Sequence, residues 1–193
     1  MKPSFDLYVI DNFLDPGTCE QIIAETRSLP DVAATVYGGD DAGYVNERIR
    51  KASRFAPSAG LHELVTRRIE ERQGEVAKHF DVVLRSCDEP QFLRYREGDF
   101  FVAHQDGNTG LIKSDREERL VSVVIFLSKQ SGASGEGDYS GGSLVFSEYR
   151  PGRRGQLEFP GEPGMLVAFR SETTHEVMPV TSGERHSIAC WYR

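Results

Sequence analysis

QFLRYREGDFFVAHQD, residues 91–106, is the stretch of sequence that decides the fold. It holds two short runs rich in aromatic residues, 91–96 and 100–104, separated by the turn residues Glu97-Gly98-Asp99. Short runs bounded by turn signals predict β-strands. Six further runs of this kind follow, at 120–127, 142–146, 155–159, 165–169, 176–180 and 185–191. Roughly eight short strands in succession predict a β-sandwich or jelly roll.

The first part of the chain predicts helices that support this sheet. After a short strand at 7–10, Asp15-Pro16 marks the start of a first helix, because aspartate caps free backbone N–H groups and proline fits the first turn. A second helix is predicted over 58–80, where apolar residues recur on one face. Residues 38–55 are polar and glycine-rich, which predicts either an edge strand or a loop near a site.

The fold class predicted from this pattern is α+β and mainly β. No linker separates two apolar halves, so residues 1–193 are expected to form a single domain. Its helical support spans about 1–88 and its β core about 89–193, as the change in hydrophobic periodicity indicates.

Composition disfavours several classes of partner and location. The net charge of −7 is unfavourable for binding a phosphate backbone, so nucleic acid is not an expected partner. The cysteines number three, are widely spaced and include no CxxC motif, so no disulfide framework is predicted. The chain starts without an apolar signal run, and no stretch approaches the roughly 20 apolar residues of a membrane span. We therefore expect a cytoplasmic protein with no membrane partner.

A candidate metal site begins at His104-Gln105-Asp106. On an extended strand, side chains at i and i+2 point to the same face, so His104 and Asp106 can reach one ion. His175, which follows the apolar run 165–169 and a polar turn, is the best third ligand. Two imidazoles and one carboxylate are typical of non-haem Fe(II) sites, although the same donors also occur in catalytic zinc sites.

Arg185 favours iron over zinc. A zinc hydrolase needs a general base beside the bound water, whereas a guanidinium is suited to holding a carboxylate with two hydrogen bonds. Arg185 follows His175 by ten residues. The pattern therefore indicates an oxygenase that takes a dicarboxylic acid as co-substrate.

These residues resemble the 2-oxoglutarate- and Fe(II)-dependent dioxygenases, and in particular the prolyl 4-hydroxylase branch with its oxygen-sensing members. The resemblance is close over about residues 90–193 and rests on a set of motifs with matching spacing. These are Tyr95, Gly98, His104-x-Asp106, Gly141-Gly142-Ser143-Leu144, Pro163-Gly164, Phe169, His175-Glu176-Val177, Pro179-Val180, Gly183-x-Arg185-x-Ser187 and Trp191-Tyr192.

The resemblance implies a double-stranded β-helix with Fe(II) bound by His104, Asp106 and His175. It implies that 2-oxoglutarate chelates the iron and pairs its 5-carboxylate with Arg185, with Tyr95 and Ser187 as further co-substrate residues. O2 is then the second co-substrate, and ascorbate is implied as a reductant. No catalytic residue beyond the iron site is expected.

One position departs from the pattern. Oxygen-sensing members carry a tyrosine, on the strand after the HxD motif, that helps bind the 5-carboxylate. The aligned residue here is Phe126, which has no hydroxyl. Arg185 is therefore left to share the carboxylate with Tyr95, Ser187 or another donor.

The resemblance implies hydroxylation of an unactivated C–H bond, with a prolyl residue of a protein or peptide as the leading substrate. Asp106 favours hydroxylation, because halogenating relatives lack this carboxylate. Residues 129–141 are too polar to pack and predict a flexible hairpin loop, and this segment and residues 38–55 are where substrate-covering loops are expected. The candidate substrate-region residues are Tyr44, Arg48, Arg50 and Trp191.

Three alternatives stay open at the level of sequence. In the first alternative, the substrate is a free amino acid or a small metabolite. The second is a cupin-like metal-binding protein without oxygenase activity, although cupins usually show a paired HxH with a following glutamate. The third is a binding module that has lost its metal.

Overall fold

The computed structural model describes residues 5–30, 32–38, 40–107, 119–131, 138–150 and 153–193. Its helices are α1 (Pro16–Ser28), α2 (Ala59–Glu70) and α3 (Gln73–Phe80). Its strands are β1 (Leu7–Ile10), β2 (Val32–Ala33), β3 (Val36–Gly38), β4 (Asp40–Tyr44), β5 (Arg50–Lys51), β6 (Ser53–Phe55), β7 (Gln91–Tyr95), β8 (Phe100–His104), β9 (Val121–Phe126), β10 (Tyr139–Gly141), β11 (Leu144–Arg150), β12 (Arg153–Phe159), β13 (Leu166–Arg170), β14 (Thr174–Val177), β15 (Val180–Gly183) and β16 (Arg185–Tyr192).

Two antiparallel sheets form the body of the molecule. The larger sheet has seven strands in the order β1-β13-β9-β16-β7-β6-β2, and the smaller has five in the order β12-β11-β14-β8-β5. Aromatic side chains from both sheets meet between them: Phe126 of the larger sheet stacks with Phe159 of the smaller at 6.0 Å between ring centroids. The predicted mainly β jelly roll, with the arrangement of a double-stranded β-helix, is confirmed.

Alternation along the central strands divides their side chains between two environments. On β16, Ile188, Cys190 and Tyr192 belong to the core shared with the helices. Arg185 and Ser187 alternate with them and are also buried, on the opposite face of the sheet. Because side chains on a strand point alternately to the two faces, the second set faces the space between the sheets.

The helices cover the outer face of the larger sheet. As predicted, α1 starts at Asp15-Pro16, where the Asp15 side chain accepts a hydrogen bond of 2.9 Å from the Thr18 backbone N–H. The helical side chains of this core are Cys19, Ile22, Leu61, Val65, Ile69, Val76 and Phe80. None of the helices in the described part of the chain has the length and hydrophobicity that a bilayer span requires.

Two of the sequence expectations need correction. The single helix predicted over 58–80 is two helices, because the chain tightens at Arg72, whose N–H bonds to Ile69 at 3.0 Å, and Gly74 is a weak helix former. The strand predicted over 176–180 is divided between β14 and β15, since Pro179 has no N–H to donate to a sheet.

Residues 38–55 and 129–141 contain regular structure beside their turns. The first holds β4, β5 and β6: β5 is an edge strand of the smaller sheet, β4 pairs with β3 alone, and β6 lies inside the larger sheet between β7 and β2. The second was expected to be a loop, but its last residues form β10, which pairs with β15. Residues 132–137 of this predicted loop lie outside the described residues.

We expect Ile69→Ala to destabilise the protein by about 2–5 kcal/mol, because the side chain is fully buried between α2 and the larger sheet and its removal leaves a cavity. Urea denaturation followed by circular dichroism measures the change. Arg68→Ala, one residue earlier on the exposed face of the same helix, is the control and should change stability little. Equal effects of the two substitutions would contradict the described packing.

Candidate active site

Two histidines meet across neighbouring strands of the smaller sheet. His104 at the end of β8 lies directly opposite His175 on β14 in the antiparallel register. Asp106 follows β8 by two residues. One ligand atom from each of the three side chains lies within 4.8 Å of the others, close enough for a single ion to bind all three. We call these three residues the His-Asp-His cluster.

Both imidazoles are oriented by their own backbone. His104 Nδ1 lies 2.8 Å from the carbonyl oxygen of Val102, and His175 Nδ1 lies 2.9 Å from that of Thr173. A carbonyl oxygen only accepts, so each Nδ1 carries the proton and each Nε2 keeps its lone pair. The two Nε2 atoms lie 3.4 Å from opposite oxygens of the Asp106 carboxylate. Two lone pairs and one carboxylate therefore converge on one point.

Two serines hold the carboxylate in place. Ser122 of β9 donates a hydrogen bond of 2.8 Å to Asp106 Oδ2. Its oxygen lies 2.9 Å from the Ser171 hydroxyl, which must be the donor in that pair because the Ser122 hydrogen is already used. The backbone N–H of Asp106 donates to the Ser171 carbonyl at 2.9 Å. The carboxylate is thus positioned before any ion binds, as is usual for groups that orient metal ligands.

The protonation states of the cluster suit metal binding. Burial lowers the pKa of His175 to about 4, with a further contribution from the neighbouring His104. Burial alone would raise the pKa of Asp106, but His175 and His104 outweigh it and hold that pKa well below its usual range. The predominant form at neutral pH is a neutral His175 beside an ionised Asp106, the forms in which these side chains bind metals.

Arg185 at the start of β16 is buried between the sheets and only 1% exposed. Its Nη1 donates a hydrogen bond of 2.8 Å to Ser187 Oγ. Its Cζ lies 5.2 Å from the ring centroid of Tyr95 and 5.4 Å from that of Phe126. The structure therefore brings together Arg185, Tyr95 and Ser187, the three residues that were expected to contact 2-oxoglutarate.

The Arg185 guanidinium has no counter-ion among the described residues. Its Nε is buried without a hydrogen-bond partner there, and its charge faces the rings of Tyr95 and Phe126. A buried cation that is neither paired nor solvated is costly, so this position suits a bound anion. The donor set of the His-Asp-His cluster likewise suits a divalent metal with open coordination positions. The residues present thus fit both a metal and a dicarboxylic acid.

Neighbours of the cluster and neighbours of the arginine lie on the same two strands of the larger sheet, β9 and β16. Trp191 lies opposite Ser122, and Ser187 lies opposite Phe126, in the register of β16 with β9. Ser122 contacts the cluster and Phe126 contacts Arg185, and these two positions are about 14 Å apart along β9 at the usual rise of a strand. Both halves of the site therefore face the same interior.

The structure distributes the four candidate substrate-region residues unevenly. Arg50 is buried and lies with Cζ 4.8 Å from the centroid of Phe101, which stacks on His104 at 3.5 Å. Trp191 is also buried, and its side chain contributes to lowering the pKa of Asp106. Tyr44 and Arg48 are exposed, and no contact described for them reaches the cluster.

Sequence reasoning missed three side chains of this site. Ser122 and Ser171 hold Asp106, and Tyr139 of β10 lies beside Arg185, only 2% exposed. A signal existed for Tyr139 alone, since it stands just before the paired glycines of the family motif. The serines carry no local signal, because their role depends on strand pairing.

The family of the chain follows from comparison with known proteins. Residues 90–193 match the model of the 2OG-Fe(II) oxygenase superfamily. The chain belongs to this superfamily, in agreement with the resemblance seen in the sequence, and the family implies Fe(II) and 2-oxoglutarate as its cofactor and co-substrate.

Two relatives of known sequence match this chain over different lengths. A protein named PKHD-type hydroxylase from Shewanella oneidensis is 35% identical over 107 residues, which are 53% of this chain and 41% of that protein. The match thus spans less than half of the Shewanella protein. A PKHD-type hydroxylase from Nitrobacter winogradskyi is 25% identical over 188 residues, covering 96% of this chain and 77% of the relative.

Solved structures share the fold. A prolyl-4-hydroxylase from Pseudomonas putida superposes with a TM-score of 0.71 at 22% identity, covering 98% of this chain and 93% of its own. A prolyl hydroxylase from Trichoplax adhaerens, in complex with a hypoxia inducible factor peptide fragment, also gives 0.71 at 17% identity, with 98% and 84% coverage. These similarities support the double-stranded β-helix.

We expect Arg185→Met to leave the ligand-free protein as stable as the parent or more stable, by up to about 4 kcal/mol, because it replaces an uncompensated buried charge with an apolar side chain of similar length. Urea denaturation without metal or keto acid measures this. Arg193→Met is the control, since the Arg193 guanidinium is ion-paired with Asp88, to which its Nη2 donates a hydrogen bond of 3.0 Å, and its loss should destabilise by about 1–3 kcal/mol. A large loss of stability in Arg185→Met would mean that the guanidinium serves the fold rather than a ligand.

Proposed function

We propose that this chain is an Fe(II)- and 2-oxoglutarate-dependent dioxygenase that hydroxylates an unactivated C–H bond, with a prolyl residue of a protein or peptide as its substrate. One observation carries the proposal: a His-Asp-His cluster and a buried arginine without a counter-ion face the same interior of a double-stranded β-helix. The first suits a metal with open positions, and the second suits the distal carboxylate of a keto acid.

His104, Asp106 and His175 are the proposed ligands of Fe(II). Held by these residues, Fe(II) would supply O2 activation, coupled to oxidative decarboxylation of 2-oxoglutarate to succinate and CO2. Ser122 keeps the Asp106 carboxylate oriented, and the two Nδ1–H groups keep the imidazoles in the tautomer that leaves Nε2 free. Ascorbate as a reductant is part of the proposal.

Arg185 is proposed to bind the 5-carboxylate of 2-oxoglutarate. Ser187 accepts a hydrogen bond from Arg185 and so fixes its guanidinium, while the rings of Tyr95 and Phe126 wall the pocket. These surroundings exclude water, which strengthens the attraction between the guanidinium and a carboxylate. The co-substrate is thereby held in one orientation relative to the metal.

The prolyl substrate is supported by two kinds of likeness. The sequence relatives are named PKHD-type hydroxylases, and both solved structures described above are named as prolyl hydroxylases. We propose that the substrate lies beside β5 and β8, where Arg50 and Phe101 adjoin His104. Tyr44, Arg48 and Trp191 are the further residues proposed for this region.

Metal binding is tested with His175→Ala. We expect the variant to lose most of its affinity for Fe(II) under anaerobic conditions, because the ion loses one of three protein ligands. The parent should show a weak visible charge-transfer band when Fe(II) and 2-oxoglutarate are both added, and the variant should not. His79→Ala is the control, since that imidazole lies on α3 beside Asp6. An unchanged band in His175→Ala would show that the site is misassigned.

The substrate class is tested by succinate production over three sets of compounds: proline-containing peptides, free amino acids, and small metabolites from a cell extract. We expect succinate to rise with a peptide set, and mass spectrometry should locate a gain of one oxygen atom on proline. Asp106→Ala, which removes one ligand, provides the blank. Turnover confined to free amino acids or metabolites would contradict the peptide substrate while leaving the reaction class intact.

A further inference from the structure

Tyr139 is a buried residue whose hydroxyl has no hydrogen-bond acceptor among the described residues. The residue is only 2% exposed, and within the described residues its hydroxyl has no hydrogen-bond partner of acceptable geometry. It lies beside the Arg185 guanidinium, whose charge and N–H groups both act on the phenol oxygen; a guanidinium only donates, so the hydroxyl hydrogen is left without an acceptor. Buried tyrosine hydroxyls normally find a partner, so this hydroxyl and Arg185 Nε are two buried donors, on neighbouring side chains, that lack one among the described residues.

The backbone places Tyr139 there through a close approach of two strands. Tyr139 pairs with Gly183 in the register of β10 with β15. Gly183 has a φ of +75°, and a Cβ at this position would lie 2.1 Å from the Asp138 carbonyl oxygen and 3.0 Å from Tyr139 Cα. Only glycine permits both the conformation and the contact. Gly183 therefore allows Tyr139 to pair with a position that is two residues before Arg185, the first residue of β16.

A set of hydrogen bonds holds the same segment from the other side. The Ser131 N–H donates to the Tyr139 carbonyl at 2.7 Å. The Gln130 side chain donates to the Gly141 carbonyl at 3.0 Å and accepts from the Gly161 N–H at 3.4 Å. These bonds fix β10 between two neighbouring segments, so the backbone that carries Tyr139 is held in position.

Phe126 and Tyr139 meet at the same point of the pocket. A Cβ on Gly161 would lie 2.6 Å from Tyr139 Oη and 2.9 Å from Phe126 Cδ1, so the two side chains share the space beside Gly161. Phe126 faces Arg185 from β9 but offers no polar atom. The hydroxyl that β9 does not provide is therefore available from β10.

We propose that the Tyr139 hydroxyl donates a hydrogen bond to the 5-carboxylate of 2-oxoglutarate, as a second anchor beside Arg185. This assignment rests on the proposed function, because it requires 2-oxoglutarate in the Arg185 pocket. It gives both unsatisfied donors an acceptor at once. Burial raises the pKa of the Tyr139 hydroxyl, although Arg185 opposes the change, so the phenol keeps its proton and stays a donor at neutral pH.

The assignment predicts that Tyr139 contributes to the affinity for one of two related keto acids and not for the other. 2-Oxoglutarate and 2-oxopentanoate share the keto acid group that binds the metal, but only the first has a distal carboxylate. Calorimetry with the Mn(II)-loaded full chain measures both affinities without turnover. We expect Tyr139→Phe to weaken 2-oxoglutarate binding roughly 10-fold to 100-fold and to leave 2-oxopentanoate binding unchanged.

Tyr192→Phe is the matched control. Its hydroxyl donates a hydrogen bond of 2.5 Å to the Ile69 carbonyl on the helical side of the larger sheet, away from the pocket. We expect both keto acids to bind this variant as they bind the parent. A specific effect of Tyr139→Phe on 2-oxoglutarate therefore reports the distal carboxylate rather than the loss of any buried hydroxyl.

The outcomes separate this assignment from the proposed function. Unchanged 2-oxoglutarate affinity in Tyr139→Phe, with a large loss in Arg185→Met, would overturn the role of Tyr139 alone. Equal losses for both keto acids in Tyr139→Phe would also overturn it, since a structural defect would be the cause. No loss in Arg185→Met would overturn the proposed function itself.

A measurement on the parent protein does not depend on the folding of the variant. A phenol that donates to a carboxylate absorbs at longer wavelength, so adding 2-oxoglutarate to the Mn(II)-loaded chain should give a tyrosine difference spectrum. 2-Oxopentanoate should not give it. Absence of the difference with 2-oxoglutarate at saturation would contradict the assignment.

Discussion

The pairing of β8 with β14 in one register is the constraint on which the site depends. His104 lies opposite His175, and both imidazoles are on the same face of the sheet as Asp106, which follows β8 by two residues. A slip by one residue would turn one imidazole to the other face of the sheet and separate the donors. The hydrogen bonds from the two Nδ1 atoms then set the tautomers, and the serines set the carboxylate. The cluster is thus a consequence of strand register, with local bonds adjusting the orientation of each group.

Burial of Arg185 is the second constraint, and it acts through energy rather than register. The alternation of β16 sends Arg185 and Ser187 between the sheets while Ile188, Cys190 and Tyr192 pack against the helices. We expect an apolar residue at position 185 to satisfy the fold, and we therefore propose that the charge serves a ligand rather than stability. This cost to the ligand-free protein is the physical reason for expecting an anion there.

The sequence predicted those residues of the site whose role shows in local spacing or in the family pattern. The i, i+2 spacing of His104 and Asp106 is visible on any strand, and His175 and Arg185 followed from position and spacing. Ser122 was not predicted, because its contact with Asp106 depends on how distant strands come together. Tyr139 was missed although it stands just before the paired glycines of the family motif. Tyr139 also lies in a polar segment without periodicity, which predicted a loop.

The same distinction applies to the fold. The order of short β-rich runs predicted a jelly roll correctly, because each run carries its own strand signal. The break between α2 and α3 at Arg72 was missed, because the apolar stripe continues across it while a tight turn and Gly74 interrupt the backbone. The division between β14 and β15 was missed for a related reason, since Pro179 acts on backbone bonding and leaves the side-chain pattern unchanged.

The measurement that tests the central claim most directly is a crystal structure of this chain grown anaerobically with Mn(II) and 2-oxoglutarate. The account predicts one ion bound by His104 Nε2, Asp106 and His175 Nε2, with the distal carboxylate of the keto acid against Arg185. An ion bound elsewhere, or a keto acid whose distal carboxylate points away from Arg185, would contradict it.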